Sequence, residues 1–200
     1  MFNDLTNTLS LLKTRRSGKP RDLGEPGPSA EELREILTIA TRTPDHGKLH
    51  PWRFVHVAQA RRDAFADLLR RAYLAGNAEP GRLEREANER FARQAPELVV
   101  VLSTPTVPHK IPVWEQQLSC GAACMNLLTA AHAMGYAGGW VTGWAAYSRP
   151  VIEALGGTGE NDRIAAFIFL GTPGTALEER MRPAYEEVAG EWQGPSEVDP

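Results

Sequence analysis

Apolar residues recur at helical spacing in the first dozen positions, where Leu5, Leu9 and Leu12 predict an amphipathic helix ending before a polar loop at 15–20. A second helix is expected behind Ser29-Ala30-Glu31-Glu32, whose spacing is that of a capping box. It would turn Leu33, Ile36, Leu37 and Ala40 to one side until Pro44 stops it. The period then shortens, and Trp52 to Ala58 carries the aromatic and β-branched residues of a strand. A helix from about Arg61 to Ala75 follows. Asn77 to Gln94 is highly polar and predicts a solvated helix after a Pro80-Gly81 turn. Glu97 to Ser103 is a short apolar strand, expected at the centre of a sheet. After a loop at 105–112, Val113 to Met134 is a long run of helix formers, apolar on most sides, which means burial. Gly135 is suited to end it, Gly138 to Gly143 reads as a short strand, Ser148 opens a small helix through Leu155, and Ile164 to Leu170 is a third clear strand. Beyond Gly171 the periodicity fades, leaving either a frayed tail or an arm packed on another subunit.

With 200 residues, no internal repeat and no linker, the chain reads as one domain, with a core from about 5 to 173 and a C-terminal arm at 174–200. The pattern predicts an α+β fold, a mixed β-sheet flanked by helices, with the long helix at a dimer interface. A composition of 42% hydrophobic and 24% charged residues is that of an ordinary globular chain. The net charge of -3 gives no broad attraction to nucleic acid or to an anionic membrane, so neither is expected as a partner. Cys120 and Cys124 fall four apart in one predicted helix, a spacing that suits packing better than a disulfide. The first twelve residues lack the basic and apolar regions of a signal peptide, and no apolar run reaches membrane-spanning length. The expected location is the cytoplasm.

Three segments carry candidate chemistry. Arg15-Arg16-Ser17 combines charged forks with a hydroxyl, which suits a phosphate or a ribityl chain, and equally reads as a solvated basic turn behind a helix. Arg42-Thr43-Pro44-Asp45-His46 projects a cation and an imidazole from a corner made rigid by proline, or is simply a helix stop with a surface histidine. Gly138-Gly139-Trp140-Val141-Thr142-Gly143 sets a large aromatic between glycines, so that backbone can approach a flat ligand, although a packed strand gives the same pattern. Of His46, His50 and His56, the first two are kept from sharing a helical face by Pro44 and Pro51, no glutamate-bearing zinc-helix motif accompanies them, and no metal site is expected. A recognisable hydrolytic nucleophile motif is missing as well.

In this order the segments resemble the nitroreductase family, particularly its short single-domain NAD(P)H nitroreductase branch. The likeness runs through most of Leu9 to Pro173. Besides the three segments it includes Pro51-Trp52-Arg53-Phe54, Ala95-Pro96 before an apolar strand, Trp114-Glu115-Gln116 at the start of the long helix, and Gly171-Thr172-Pro173. The resemblance implies an intertwined homodimer with an FMN site at each subunit interface, reduced by NADH or NADPH.

Arg15, Arg16 and Ser17 would hold the FMN phosphate and ribityl region from one subunit, while Arg42 and His46 would reach the same flavin from the other. Trp140, Val141, Thr142 and Gly143 would lie along the ring, with backbone N–H groups near Thr142 and Gly143 close to flavin N5. Lys19 takes the place of a family basic residue near the pyrimidine edge, and Arg182, in Arg180-Met181-Arg182, that of a basic residue completing the phosphate site. No side chain is expected to act as a nucleophile, since the flavin carries the hydride chemistry. The expected activity is a ping-pong transfer from nicotinamide through flavin to a small acceptor, nitroaromatic or quinone-like. A flavoenzyme with another redox task and an FMN-storing or sensing module stay open as alternatives.

Overall fold

The computed structural model describes residues 1–77 and 81–194. Pro80, in the expected turn before the polar helix, lies outside the described residues.

Seven helices and five strands are described. Helix α1 (Thr8–Thr14) starts at Asn7, whose side chain accepts from the Ser10 amide. It is shorter than the leucine spacing predicts and buries Leu11, leaving Leu5, Leu9 and Leu12 exposed. The reason is local: the residues before Asn7 fold back, with Asn3 N donating to Thr14 O at 3.1 Å, instead of continuing the helix. A short strand β1 (Leu23–Gly24) precedes α2 (Ala30–Ala40), where Ser29 and Glu32 form the expected capping box. Helix α2 ends at Ala40, ahead of Pro44. The Thr41 hydroxyl and the Arg42 amide donate to the last carbonyls, Thr38 O and Ile39 O, and close the helix without the proline.

Strand β2 (Trp52–His56) leads into α3 (Arg62–Gly76) and α4 (Arg82–Arg93), then β3 (Glu97–Ser103), α5 (Val113–Ala133), β4 (Ala137–Val141), α6 (Arg149–Ala154), β5 (Arg163–Pro173) and α7 (Tyr185–Val188). Strand β3 is flanked by β2 and β5, as its apolar run requires, and β5 also pairs with β1 and β4. The fold is α+β, with helices on both faces of the sheet. Every pairing among the described residues is antiparallel, where a mixed sheet was expected. Two helices, α3 and α4, connect β2 to β3, so the chain returns to the end it left and the next strand runs the opposite way.

Alternation along β3, and along β5 from Ala166 to Leu170, separates two cores; a register shift between Val101 and Leu102 interrupts the pairing before that. Leu98, Val100, Leu102, Phe167 and Phe169 face α3 and α4, where Phe91 meets both phenylalanines edge-on, with centroids at 5.2 and 5.3 Å. Val99, Val101, Ile168 and Leu170 face α2 and α5. The first core is pinned by Arg62, 3% exposed, whose guanidinium donates to the carbonyls of Val57, Ala92, Gln94 and Pro96. The buried Gln116 ties the loop before α5 in the same way, accepting from Thr106 N and donating to Thr106 O and Ile111 O. Not every side of α5 is covered: Trp114, Leu118 and Met125 form an exposed stripe at helical spacing. No described helix is long and apolar enough to cross a membrane.

Candidate active site

Behind α1 the chain leaves helical geometry at Arg15 and crosses the sheet edge as an extended loop. Asn3 holds this loop from the N-terminal side, its Oδ1 accepting from Arg16 N at 2.8 Å and its Nδ2 donating to Arg16 O at 3.3 Å. On the other side Gly18 N donates to Gly138 O at 3.1 Å, which lays the loop against β4. Glycine matters most on the β4 side of that seam, where the obstructing atom is backbone rather than the end of a side chain. A Cβ at Gly18 would come within 2.5 Å of Leu23 Cδ2, and one at Gly139 within 2.6 Å of Gly18 O. The space beside Gly138 and Gly139, read from the sequence as room for a flat ligand, is thus filled by Leu128, Leu170, Gly18 and Pro20. Gly143 differs: it has φ +116° and open space where a Cβ would sit.

Loop, strand and arm enclose a cavity of about 510 Å³. Arg15, Arg16, Ser17 and Lys19 line it from the loop, Trp140 and Val141 from β4, and Arg180 and Arg182 from the arm. Trp140 is 39% exposed and its Nε1 donates to Ala165 O, which fixes the indole at the cavity wall. Thr142 and Gly143 follow directly at the exposed end of the strand, outside the lining. The first part of the arm, to Glu179, returns to its own chain, while Tyr185, Val188 and Trp192 beyond it are exposed. Arg16 Nε donates to Glu178 O at 2.6 Å, and Lys19 Nζ lies 3.2 Å from Glu178 Oε2. The β1–β5 pairing and the Gly174 N to Asp22 O bond bring the chain to this edge, and Glu178 and Glu179 then face the basic loop.

Arg15 is the electrostatic centre of the cavity. Its Nη1 donates to Ser17 Oγ at 3.2 Å. Burial first, and then the cations of Arg182 and Arg16, pull its pKa below the ordinary guanidinium value. The group stays charged, so three like charges crowd one site, an arrangement that favours a multivalent anion. Beneath it lies His132 on α5, fully buried, whose Nε2 accepts from Gly138 N at 3.3 Å. Burial and the neighbouring Arg15 lower the pKa of His132 to about 4, and the backbone at Leu128 and Arg16 pulls weakly the other way. Sequence reasoning missed His132, because one histidine in an apolar helix looks like packing.

Arg42 and His46 are not brought to this cavity within one chain. Arg42 is exposed and its carbonyl accepts from Asn126 Nδ2. His46 Nδ1 is 2.7 Å from Glu115 Oε2, and Pro44 O accepts from Ser119 Oγ. The 42–46 corner is therefore strapped to α5 through Glu115, Ser119 and Asn126, on the face adjoining the Trp114, Leu118 and Met125 stripe. Each of His46, His50 and His56 faces a different carboxylate, and among the described residues no cluster could hold a metal ion. Cys120 and Cys124 are free and buried in the α5 core.

Residues 12–172 match the family model described as "Nitroreductase family". The chain is 35% identical over 167 residues to "Putative NAD(P)H nitroreductase YdjA" of Escherichia coli (strain K12), an alignment covering 84% of this chain and 88% of that one. Among solved structures it is similar to the nitroreductase-like family protein from Bacillus cereus, with a TM-score of 0.78 at 23% identity over 94% and 97% of the two chains. The NADPH:FMN oxidoreductase from Vibrio harveyi, solved in complex with NAD+, has a TM-score of 0.70 at 20% identity, covering 94% of this chain and 78% of its own.

Proposed function

Because the chain belongs to the nitroreductase family, we propose that it is an FMN-dependent oxidoreductase. It takes hydride from NADH or NADPH and passes electrons to a small nitroaromatic or quinone-like acceptor. The observation that carries this reading is the crowding of Arg15, Arg16 and Arg182 in a cavity bordered by Trp140. A phosphate monoester relieves that repulsion, and an indole beside it suits a flat ring.

Hydride acceptance and electron delivery are the chemistry that bound FMN would supply there. Arg15 and Ser17 would hold its phosphate and ribityl chain, with Arg182 completing the anion site. Trp140 and Val141 would border the ring, and the backbone N–H groups near Thr142 and Gly143 would donate toward N5. Lys19 would place positive charge by the pyrimidine edge, where charge develops on reduction. Arg16 would hold the same region with its remaining donors while its Nε donates to Glu178 O on the arm. A single cavity serves both half-reactions, so NAD(P)+ leaves before the acceptor enters and the kinetics are ping-pong.

The functional unit in this reading is a homodimer with flavin at the interface. Its support is the exposed stripe on α5 beside the 42–46 corner, together with exposed Leu5, Leu9 and Leu12. Arg42 and His46 would then complete the partner's site. Two buried free thiols suit a reducing, cytoplasmic setting.

The decisive test is the visible spectrum of purified protein before and after anaerobic NADPH. A bound flavin spectrum that bleaches with NADPH is expected. Protein that stays colourless and takes up no added FMN would overturn the reading, while bound flavin that no reduced nicotinamide bleaches would point to storage or sensing.

A further inference from the structure

Glu178 stands where the returning arm meets the basic loop, and it touches two cations of the cavity at once. Its main-chain carbonyl accepts from Arg16 Nε at 2.6 Å, and its carboxylate Oε2 is 3.2 Å from Lys19 Nζ. Glu179 adds a second carboxylate, 3.6 Å from Arg16 Nε. The other carboxylate of the lining, Asp22, faces Arg21 at 3.8 Å. The main-chain bond to Arg16 sets the Glu178 backbone beside the loop, and its carboxylate reaches Lys19 from there.

From this pairing we infer that Glu178 is a positioning residue. Acting through Lys19, it sets how strongly the site prefers the reduced over the oxidised cofactor. The inference rests on the FMN reading of the same cavity. A two-electron-reduced flavin carries more negative charge than the oxidised one, so any cation beside it favours the reduced form. Glu178 neutralises Lys19 and opposes that preference. Both side chains are more than half exposed, so solvent screens the pair and the effect is moderate. The contact also holds Lys19 toward the arm, so removing the carboxylate frees the ammonium as well as unmasking its charge.

The test is the two-electron reduction potential of bound FMN, measured by equilibration with a redox dye in the intact dimer. Glu178→Gln keeps the shape and the main-chain bond to Arg16 and removes only the charge. The affinity for reduced relative to oxidised FMN is expected to rise roughly threefold to tenfold, a positive shift of about 15 to 30 mV. Glu186→Gln removes an exposed arm carboxylate away from the cavity lining and leaves the potential unmoved. In a Lys19→Met background the Glu178→Gln shift disappears. An unmoved potential in Glu178→Gln protein that still binds FMN overturns the inference and leaves the cofactor reading intact. An equal shift in Glu186→Gln, or one that persists without Lys19, overturns the route through Lys19. Wild-type protein that binds no FMN overturns the cofactor reading itself.

Discussion

The Gly138 amide donates to Nε2 of His132 at 3.3 Å, joining the last turn of α5 to the strand on which the 15–18 loop rests. The imidazole must stay neutral to accept that bond, and burial beside Arg15 lowers its pKa from 6.5 to about 4. Above pH 6.5 it is neutral in both folded and unfolded chains and makes stability no more sensitive to pH. Between about pH 6.5 and 4 the unfolded chain binds a proton that the folded one refuses, so stability falls with acidification. The full loss from this group is about 3 kcal/mol. Urea midpoints at pH 7.5 and 4.5 measure it, and His132→Gln should lose less between the two values than the wild type. Equal losses would mean that His132 does not couple folding to pH.

Arg15→Ala is expected to weaken FMN binding tenfold to hundredfold, or about 1.5 to 3 kcal/mol, through loss of a charge-assisted donor in a partly desolvated site. Ser17→Ala should cost less, since a neutral hydroxyl is lost. Fluorescence titration with FMN checks both, and unchanged affinity in both variants would remove the loop from the cofactor site.

Arg42 and His46 lie outside the cavity of their own chain, which makes their participation testable in trans. Arg15→Ala chains mixed with Arg42→Ala/His46→Ala chains should form heterodimers in which one site is intact and the other doubly damaged. Once mass measurement shows subunit exchange, FMN-dependent NADPH oxidation should exceed the parental average. Activity at or below that average would rule out the shared site.

Arg62 satisfies four buried carbonyls with one guanidinium. Arg62→Met fills similar volume but leaves them without donors, with an expected cost of about 3 kcal/mol or more. The urea midpoint should fall at constant slope. A midpoint within error of the wild type would show that water replaces the guanidinium there.

Burial on both faces is what made β3 and most of α5 legible, since an unbroken apolar run has few alternatives. The Ser29 capping box was equally readable, being local chemistry. Leu5, Leu9 and Leu12 misled because helical spacing reports a face without saying whether this chain covers it; Leu11 is the residue that the chain buries. The basic loop and Trp140 could be picked out as candidates, and the fold places them around one cavity. Their separation from Arg42 and His46 is tertiary information. So is the return of Glu178, which depends on pairing across the whole chain, and neither Gly18 nor Gly139 reveals its close neighbour until loop and strand meet.

Strand β5 pairs with β1, β3 and β4, yet it comes last of the five described strands in chain order. On the ribosome, β3 can pair with β2 but lacks its partner on the other side, and an apolar face of the nascent sheet waits for Phe167 and Phe169. The β3–β5 and β4–β5 pairings therefore form only once β5 has emerged, so the sheet is completed by a late, non-local step. The same order leaves one edge of the Leu98–Leu102 run open to chaperones and to aggregation until β5 emerges, and a chain truncated before Arg163 keeps only the β2–β3 pairing.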